Sequence, residues 1–118
     1  MISKFPDNRE LYNFFESEPK TLDPDSSWLY NKLEFTVMDG DHELRAVISP
    51  SCGNFHFRSL FTNELIFDIE FHPVDQCSIC PEGDMRYMLL RFLPEARMKD
   101  VQLFIKSRIK VTAGNTAY

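Results

Sequence analysis

The alternation of apolar and polar positions is clearest in residues 64–74, which read ELIFDIEFHPV. Every second side chain is large and apolar, and the side chains between them are charged or polar. The apolar set is Leu65, Phe67, Ile69 and Phe71, and the polar set is Asp68, Glu70 and His72. This period of two predicts a β-strand with one buried and one solvated face. Because a shift by one residue would bury both carboxylates, the pairing register is strongly specified, and we expect a core strand of an antiparallel sheet.

Three further stretches repeat this alternation. Their apolar positions are Leu33, Phe35 and Val37, then Leu44, Ala46 and Ile48, then Phe55 and Phe57. Asp39 and Gly40 lie between the first two stretches and favour the positive φ angles of a tight hairpin turn. The sequence therefore predicts four consecutive antiparallel strands with short connections.

A short helix is predicted before these strands. Asp7 or Asn8 can cap it, and Glu10 follows Asp7 at the spacing of a capping box. Its narrow apolar stripe consists of Leu11, Phe14 and Phe15. Pro19 stops the helix, so we expect it to cover residues 8–18 and to lean on the sheet.

The second half of the chain is less regular. Residues 73–84 lose the alternation and predict the principal irregular loop. Residues 85–93 are almost continuously apolar, which is typical of a strand covered on both faces. Residues 101–111 alternate again and predict one long final strand, whose cationic outer row is Lys106, Arg108 and Lys110.

These elements predict an α+β fold, in which a short N-terminal helix packs on a mainly antiparallel β-sheet of five to seven strands. The length of 118 residues is typical of a single domain, 1–118. Phenylalanine occurs 11 times, so we expect an aromatic-rich core.

Charge is distributed unevenly along the chain, whose net charge is −5. Residues 1–80 contain 6 Lys/Arg and 14 Asp/Glu, a balance of −8, whereas residues 81–118 contain 7 and 4, a balance of +3. An acidic chain argues against direct binding of nucleic acid and favours a basic protein partner. No apolar run approaches the roughly 20 residues that span a bilayer, and the three cysteines favour a reducing compartment. We therefore expect a soluble, cytoplasmic protein that does not bind membrane.

Cys77 and Cys80 form the most suggestive short motif, because two thiolates at this spacing can bind zinc or exchange as a redox pair. A structural zinc site needs four ligands, and the sequence has no second C-x-x-C. Cys52, His56 or His72 would have to come from other strands. Ordinary loop or core cysteines are therefore the favoured interpretation, and no cofactor is predicted.

Two groups of carboxylates are also candidates for chemistry. The first, Asp39, Asp41 and Glu43, surrounds the predicted hairpin turn, and the second, Asp68 and Glu70, shares one strand face. Such groups can hold a metal or act as an acid–base pair, but a solvated turn and a solvated strand face are the favoured interpretations.

For the basic side chains, too, an ordinary surface role is favoured over a chemical one. His56 and His72 could serve in acid–base catalysis, although a surface histidine on a strand is the commoner case. The cationic row of the final strand could meet phosphate, but protection of an edge strand is favoured. The sequence contains no nucleophile elbow, Walker loop, dinucleotide fingerprint or H-E-x-x-H motif, so binding is favoured over catalysis.

Residues 28–112 contain an ordered series of landmarks: Trp28, LEFTV at 33–37, LIFDIEF at 65–71 and IKV at 109–111. In a small acidic chain that opens with a short helix, this order resembles the immunity proteins that bacteria carry against polymorphic or contact-dependent toxins. The resemblance implies a stoichiometric inhibitor that covers a toxin, often a basic nuclease, and has no reaction of its own.

The resulting hypothesis is that acidic residues dock a cognate toxin. The candidate partner-binding residues are Asp39, Asp41, Glu43, Asp68 and Glu70. Two alternatives stay open: a small enzyme or a metal or redox sensor that uses the Cys77–Cys80 loop, with His72 as a further weak metal ligand, and a subunit that pairs its strand edge with another chain.

Overall fold

The computed structural model describes residues 2–106, 108–114 and 116–117. It contains one α-helix and two five-stranded antiparallel sheets. The elements are α1 (Asn8–Phe15), β1 (Lys20–Thr21), β2 (Leu33–Asp39), β3 (His42–Ser49), β4 (Asn54–Phe61), β5 (Glu64–Phe71), β6 (Gln76–Glu82), β7 (Met85–Arg91), β8 (Val101–Phe104), β9 (Lys110–Ala113) and β10 (Thr116–Ala117). Single turns of 3₁₀ helix lie at Trp28–Tyr30 and Pro94–Ala96. No helix within the described ranges has the length and apolarity to cross a membrane.

The predicted fold class, a short N-terminal helix with mainly antiparallel strands, is confirmed. Sheet 1 has the order β1-β2-β3-β4-β5 and sheet 2 the order β10-β9-β8-β7-β6, so every strand pairs with its neighbour in sequence. The ten strands exceed the predicted five to seven for three reasons. Residues 76–82 form a strand, the final stretch is divided, and two-residue strands lie at one edge of each sheet.

The predicted capping box of α1 is present. The Asp7 carboxylate accepts a hydrogen bond from the Glu10 N–H at 2.8 Å, and the Glu10 carboxylate accepts one from the Asp7 N–H at 3.3 Å. The helix ends at Phe15 and not at residue 18, because Glu16 adopts a left-handed conformation with φ 53° and closes the last turn. Leu11, Phe14 and Phe15 are buried, as the apolar stripe predicts.

The strand in residues 64–74 lies at the edge of sheet 1 and not at its centre. Phe67 and Phe71 are buried and Ile69 is half-buried, which confirms most of its predicted face. The prediction is wrong for Leu65, which is 52% exposed. The reason is a β-bulge between β4 and β5, which shifts the register near the end of the hairpin and turns that end of β5 to solvent.

Sheet 2 departs most from the sequence prediction. Residues 76–82, predicted as loop, form β6, which pairs with β7 along its whole length. The predicted long strand over 101–111 is divided into β8 and β9, which pair with each other as a hairpin. The apolar residues keep their even spacing across the connection between them, so the sequence pattern does not indicate the turn. In β7, Met88 and Leu90 are buried while Leu89 is only partly covered, so this strand is covered mainly on one face.

The inner faces of both sheets and the apolar stripe of α1 form one buried cluster. Four of its fully buried side chains are phenylalanines: Phe15, Phe35, Phe55 and Phe57. Phe15 stacks on Phe35 with ring centroids 4.3 Å apart, which places the helix against β2. The predicted aromatic-rich core is therefore present.

The N-terminal segment, residues 2–4, joins the two sheets. The Ile2 N–H donates to the carbonyl of Pro50 in the turn after β3, and the Ser3 N–H donates to the carbonyl of Asp75. Lys4 then forms a parallel bridge with Gln76, the first residue of β6. These bonds link the connection between β3 and β4 to the edge of sheet 2.

Gly53 allows a second close contact between the same regions. Its φ is +66°, and an added Cβ would lie 2.5 Å from the carbonyl oxygen of Val74. The Val74 N–H donates a hydrogen bond of 2.8 Å to the Gly53 carbonyl. Glycine is needed here for its left-handed conformation and for its lack of a side chain.

Two substitutions on β5 test the assignment of its faces. We expect Phe67→Ala to lower the free energy of unfolding by about 3–5 kcal/mol, because it removes a buried ring and leaves a cavity. Leu65→Ala should change it by less than about 1 kcal/mol, because the side chain is already half in water. Urea denaturation followed by circular dichroism measures both values. A larger loss for Leu65→Ala than for Phe67→Ala would contradict the described register.

Candidate protein-interaction surface

The solvent-facing side of sheet 1, here called the outer face, is formed by the side chains that alternate with the buried ones on β2 to β5. Paired residues on neighbouring strands align into rows across this face. The first row is Met38, Glu43, Leu60 and Leu65, the second is Thr36, Arg45, Arg58 and Asp68, and the third is Glu34, Val47, His56 and Glu70. The row nearest the β2–β3 and β4–β5 turns therefore has three apolar side chains beside Glu43, whereas the other two rows are mainly polar or charged.

The first group of candidate residues lies around the turn between β2 and β3. Asp39 is the last residue of β2, Asp41 lies in the turn, and Glu43 on β3 belongs to the first row of the outer face. Gly40 has φ +62°, as the predicted tight turn requires. Asp39 and Asp41 are exposed, and the Glu43 carboxylate lies 3.5 Å from the guanidinium Nε of Arg45. The structure thus places three carboxylates at one corner of sheet 1.

The second group, Asp68 and Glu70, lies on the outer face of β5 but is already engaged with basic and amide side chains. Asp68 contacts the Nε2 of His56 and lies 3.9 Å from the Nε of Arg58. Glu70 accepts a hydrogen bond of 2.9 Å from the Asn54 side chain. These exposed contacts contribute at most about 1 kcal/mol each to stability. They orient the carboxylates, and they reduce the negative charge that Asp68 presents to a partner.

The charge asymmetry of the sequence coincides with the division into sheets. Residues 76–80 carry no formal charge, so residues 1–75, which include sheet 1, hold the whole balance of −8, and residues 76–118, which include sheet 2, hold +3. The outer face of sheet 2 carries the contact of Tyr87 with Phe104, whose ring lies 4.8 Å from the Lys110 ammonium. The two sheets therefore present surfaces of different charge.

The predicted cationic row of the final strand is not formed. Lys106 lies in the connection after β8 and donates a hydrogen bond of 2.7 Å to Glu16 at the end of α1. Lys110 lies on β9 over Phe104, and Arg108 belongs to the connection. The three side chains are separated because the chain reverses between β8 and β9.

Cys77 and Cys80 lie on β6 and not in a loop. Residues three apart on a strand point to opposite faces, and accordingly Cys77 is buried in the core while Cys80 is partly exposed. Burial raises the pKa of the Cys77 thiol well above its usual range, so this thiol stays protonated at neutral pH. The described residues contain no group of three His, Cys, Asp or Glu side chains that could hold a metal ion, and Cys77, Cys80 and His72 are not brought together.

Met38, Leu65 and Ile66 give this surface its apolar end, which the sequence does not predict. Leu65 is exposed because of the bulge opposite Ser59 and Leu60. Ser59 is fully buried, and its hydroxyl contacts the Nε2 of His42. No motif in the sequence marks this irregularity.

Comparison with known proteins identifies the fold. No family model matches the chain, and no curated protein matches it. Among solved structures, a chain of the "Contact-dependent growth inhibition toxin - immunity protein complex from Klebsiella pneumoniae 342" matches with a TM-score of 0.82 and 18% sequence identity, over 100% of both chains. The resemblance to proteins of contact-dependent toxin systems is therefore confirmed at the level of the fold.

The thiols give a direct test of the burial of Cys77 on β6. We expect Cys52, which is exposed, to react rapidly with a disulfide reagent at about pH 8, whereas Cys77 should react only after denaturant is added, because it is buried and protonated. Counting modified thiols by mass spectrometry, with Cys52→Ser as the control that removes the rapid reaction, measures this difference. Rapid modification of Cys77 in the folded protein would contradict its burial.

Proposed function

We propose that this protein is an immunity protein, a stoichiometric inhibitor that binds a cognate contact-dependent toxin in the cytoplasm of a bacterial cell and catalyses no reaction itself. The observation that carries the proposal is the end-to-end match of its fold to a chain of a contact-dependent growth inhibition toxin–immunity protein complex. The match covers 100% of both chains.

The distribution of charge supports the inhibitor and not the toxin as the role of this chain. The carboxylates of sheet 1 create a negative field, and a net charge of −5 suits a protein that must meet a basic partner rapidly. We propose that the partner is a basic toxin, such as a nuclease whose own substrate is polyanionic. Its substrate-binding surface would then be the positive surface that the carboxylates of sheet 1 attract.

Asp39, Asp41 and Glu43 are the proposed steering residues, with Asp68 and Glu70 in a secondary role. The turn residues project from a corner of the sheet, and among the described residues neither Asp39 nor Asp41 has an ion-pair partner within 4.0 Å. Asp68 contacts a histidine and an arginine, and this local compensation weakens its contribution to the long-range field.

Edge pairing is a second binding mode, favoured by the position of β5. This eight-residue strand is the last strand of sheet 1, so one of its edges faces away from the other strands. An extended segment of the toxin could add to this edge through backbone hydrogen bonds. This mode is compatible with steering by the turn carboxylates, which lie on the same sheet.

Co-expression tests the proposed function. We expect a cell that expresses the product of the gene immediately upstream to stop growing, and to grow normally when this protein is expressed with it. The two proteins should also copurify in a stoichiometric complex. If expression of this chain alone stops growth, the chain is the toxin of the pair. An upstream product that neither arrests growth nor copurifies would overturn the proposal.

Charge reversal tests the steering residues. We expect Asp39→Lys combined with Asp41→Lys to slow association with the upstream product by up to roughly tenfold at low salt, because opposite charge accelerates encounter. The difference should shrink as ionic strength rises from about 0.01 to 0.15 M, since the Debye length falls from about 30 to 8 Å.

The matched control is Glu82→Lys combined with Glu95→Lys, which makes the same change in net charge on exposed positions of the second half of the chain. Surface plasmon resonance gives the association rate constants. Equal rates for the two double variants would show that the position of the carboxylates around the turn does not matter.

A further inference from the structure

Three large apolar side chains are exposed at the end of sheet 1 that carries the β2–β3 and β4–β5 turns. Their exposed fractions are 61% for Met38, 52% for Leu65 and 55% for Ile66. We call this set the apolar tip. Isolated exposed apolar residues are normal on protein surfaces, but a group of large ones in one place is typical of an interaction site.

The pairing of the strands explains why these side chains are neighbours. Leu60 pairs with Leu65, and Leu60 also pairs with Glu43, which in turn pairs with Met38. Because adjacent strands are about 4.8 Å apart, the whole first row spans roughly 15 Å. Ile66 follows Leu65 directly. Phe61 is also half-exposed but does not belong to the apolar tip, because it follows Leu60 on a regular strand and points to the opposite face, where its ring lies 6.1 Å from that of His42.

The bulge exposes Leu65 beside Ile66. Ser59 pairs with Phe67 while Leu60 pairs with Leu65, so Ile66 is the extra residue on β5. Thr62 and Asn63 in the connecting turn both have positive φ angles, 52° and 66°. In a regular strand, Leu65 would lie on the buried face together with Phe67. Bulges occur preferentially where a strand must redirect a side chain, often beside a functional site.

Acidic side chains lie beside and within the apolar tip. Asp39 and Asp41 follow Met38 at the β2–β3 turn, and Glu64 precedes Leu65 on β5. Glu43 lies in the first row between Met38 and Leu60. An apolar centre with a polar rim is the usual arrangement of a protein–protein interface. Carboxylates in the rim favour a basic partner and oppose self-association, because a symmetric contact would bring the acidic rims of two copies together.

We infer that the apolar tip is the anchor of the toxin complex, and that it fits into an apolar recess within the basic surface of the toxin. This inference rests on the proposed function and adds the surface that holds the partner. The carboxylates of the rim accelerate encounter, and the desolvated side chains of the tip determine how long the complex lasts.

Alanine substitutions separate these two roles. Leu65→Ala and Ile66→Ala remove half-exposed side chains and should leave the melting temperature nearly unchanged. Leu93→Ala is a matched control, because Leu93 is 53% exposed and lies after β7 in the other sheet. Surface plasmon resonance measures the binding kinetics of each variant with the purified product of the gene immediately upstream.

We expect Leu65→Ala and Ile66→Ala each to increase the dissociation rate constant by about tenfold, with association rates within about twofold of the wild type. Leu93→Ala should leave both constants unchanged. If the wild type binds and neither tip variant dissociates faster than Leu93→Ala, the anchor is overturned while the proposed function stands. If the wild type does not bind, both are overturned.

A second copy of this chain is the competing occupant, and sedimentation tests it. The protein alone should sediment as a monomer at micromolar concentration, and Leu65→Arg should not change its mass. A dimer that Leu65→Arg converts to monomer would show that the tip binds another copy, which would overturn the toxin as its occupant.

Discussion

The aromatic cluster between the two sheets is the constraint on which the other features depend. Phe15 of the helix stacks on Phe35 of sheet 1, and Phe14 meets the edge of Phe15 at 5.0 Å. Phe57 contacts both Phe55 and Phe71, which continues the cluster toward β5. Large rings bury so much apolar area that a small protein whose core contains several of them has little freedom to rearrange. Because these rings need only the inner face of each sheet, the side chains of the outer faces are left to interact with solvent and partners.

This difference between the packed inner faces and the solvated outer faces explains how the same fold can accompany very different sequences. The core requires apolar side chains of suitable volume at alternate strand positions, and it does not require particular residues. A TM-score of 0.82 at 18% identity is the expected consequence. The outer faces are under no such packing requirement, so their charges and apolar groups can change without loss of the fold. The proposed recognition of a partner therefore rests on residues that contribute little to stability.

The sequence predicted local structure well and the arrangement of strands less well. Alternation identifies which side chains of a strand face inward, as Phe67 and Phe71 show, but it does not reveal whether the strand is central or at an edge. Residues 76–82 contain Cys, Ser, Pro and Glu without a strong apolar period, and they become a strand because β7 and the N-terminal segment pair with them. Tertiary pairing of this kind overrides weak local preference.

For the candidate interaction surface, too, local features can be predicted from the sequence, whereas features that depend on strand pairing cannot. The acidic residues around Gly40 could be placed at one turn from the sequence, because turn chemistry is local. The exposure of Leu65 beside Ile66 depends on the register between β4 and β5, and a one-residue irregularity in pairing leaves no compositional trace. Alternation alone would have buried Leu65 with Phe67, and Ile66 would have been an isolated apolar residue on a polar face.

The strict pairing of sequence neighbours also determines the order in which the molecule can assemble during synthesis. Sheet 1 is complete once residue 71 is available, and none of its strand pairs needs the second half of the chain. Contacts between strands that are close in sequence cost little loop-closure entropy and form early. The N-terminal segment, although it is synthesised first, cannot form its bridge with Gln76 until β6 emerges from the ribosome. The acidic surface would thus exist on a nascent chain before the second sheet has been translated, and the N-terminal link between the two sheets would form only after sheet 1.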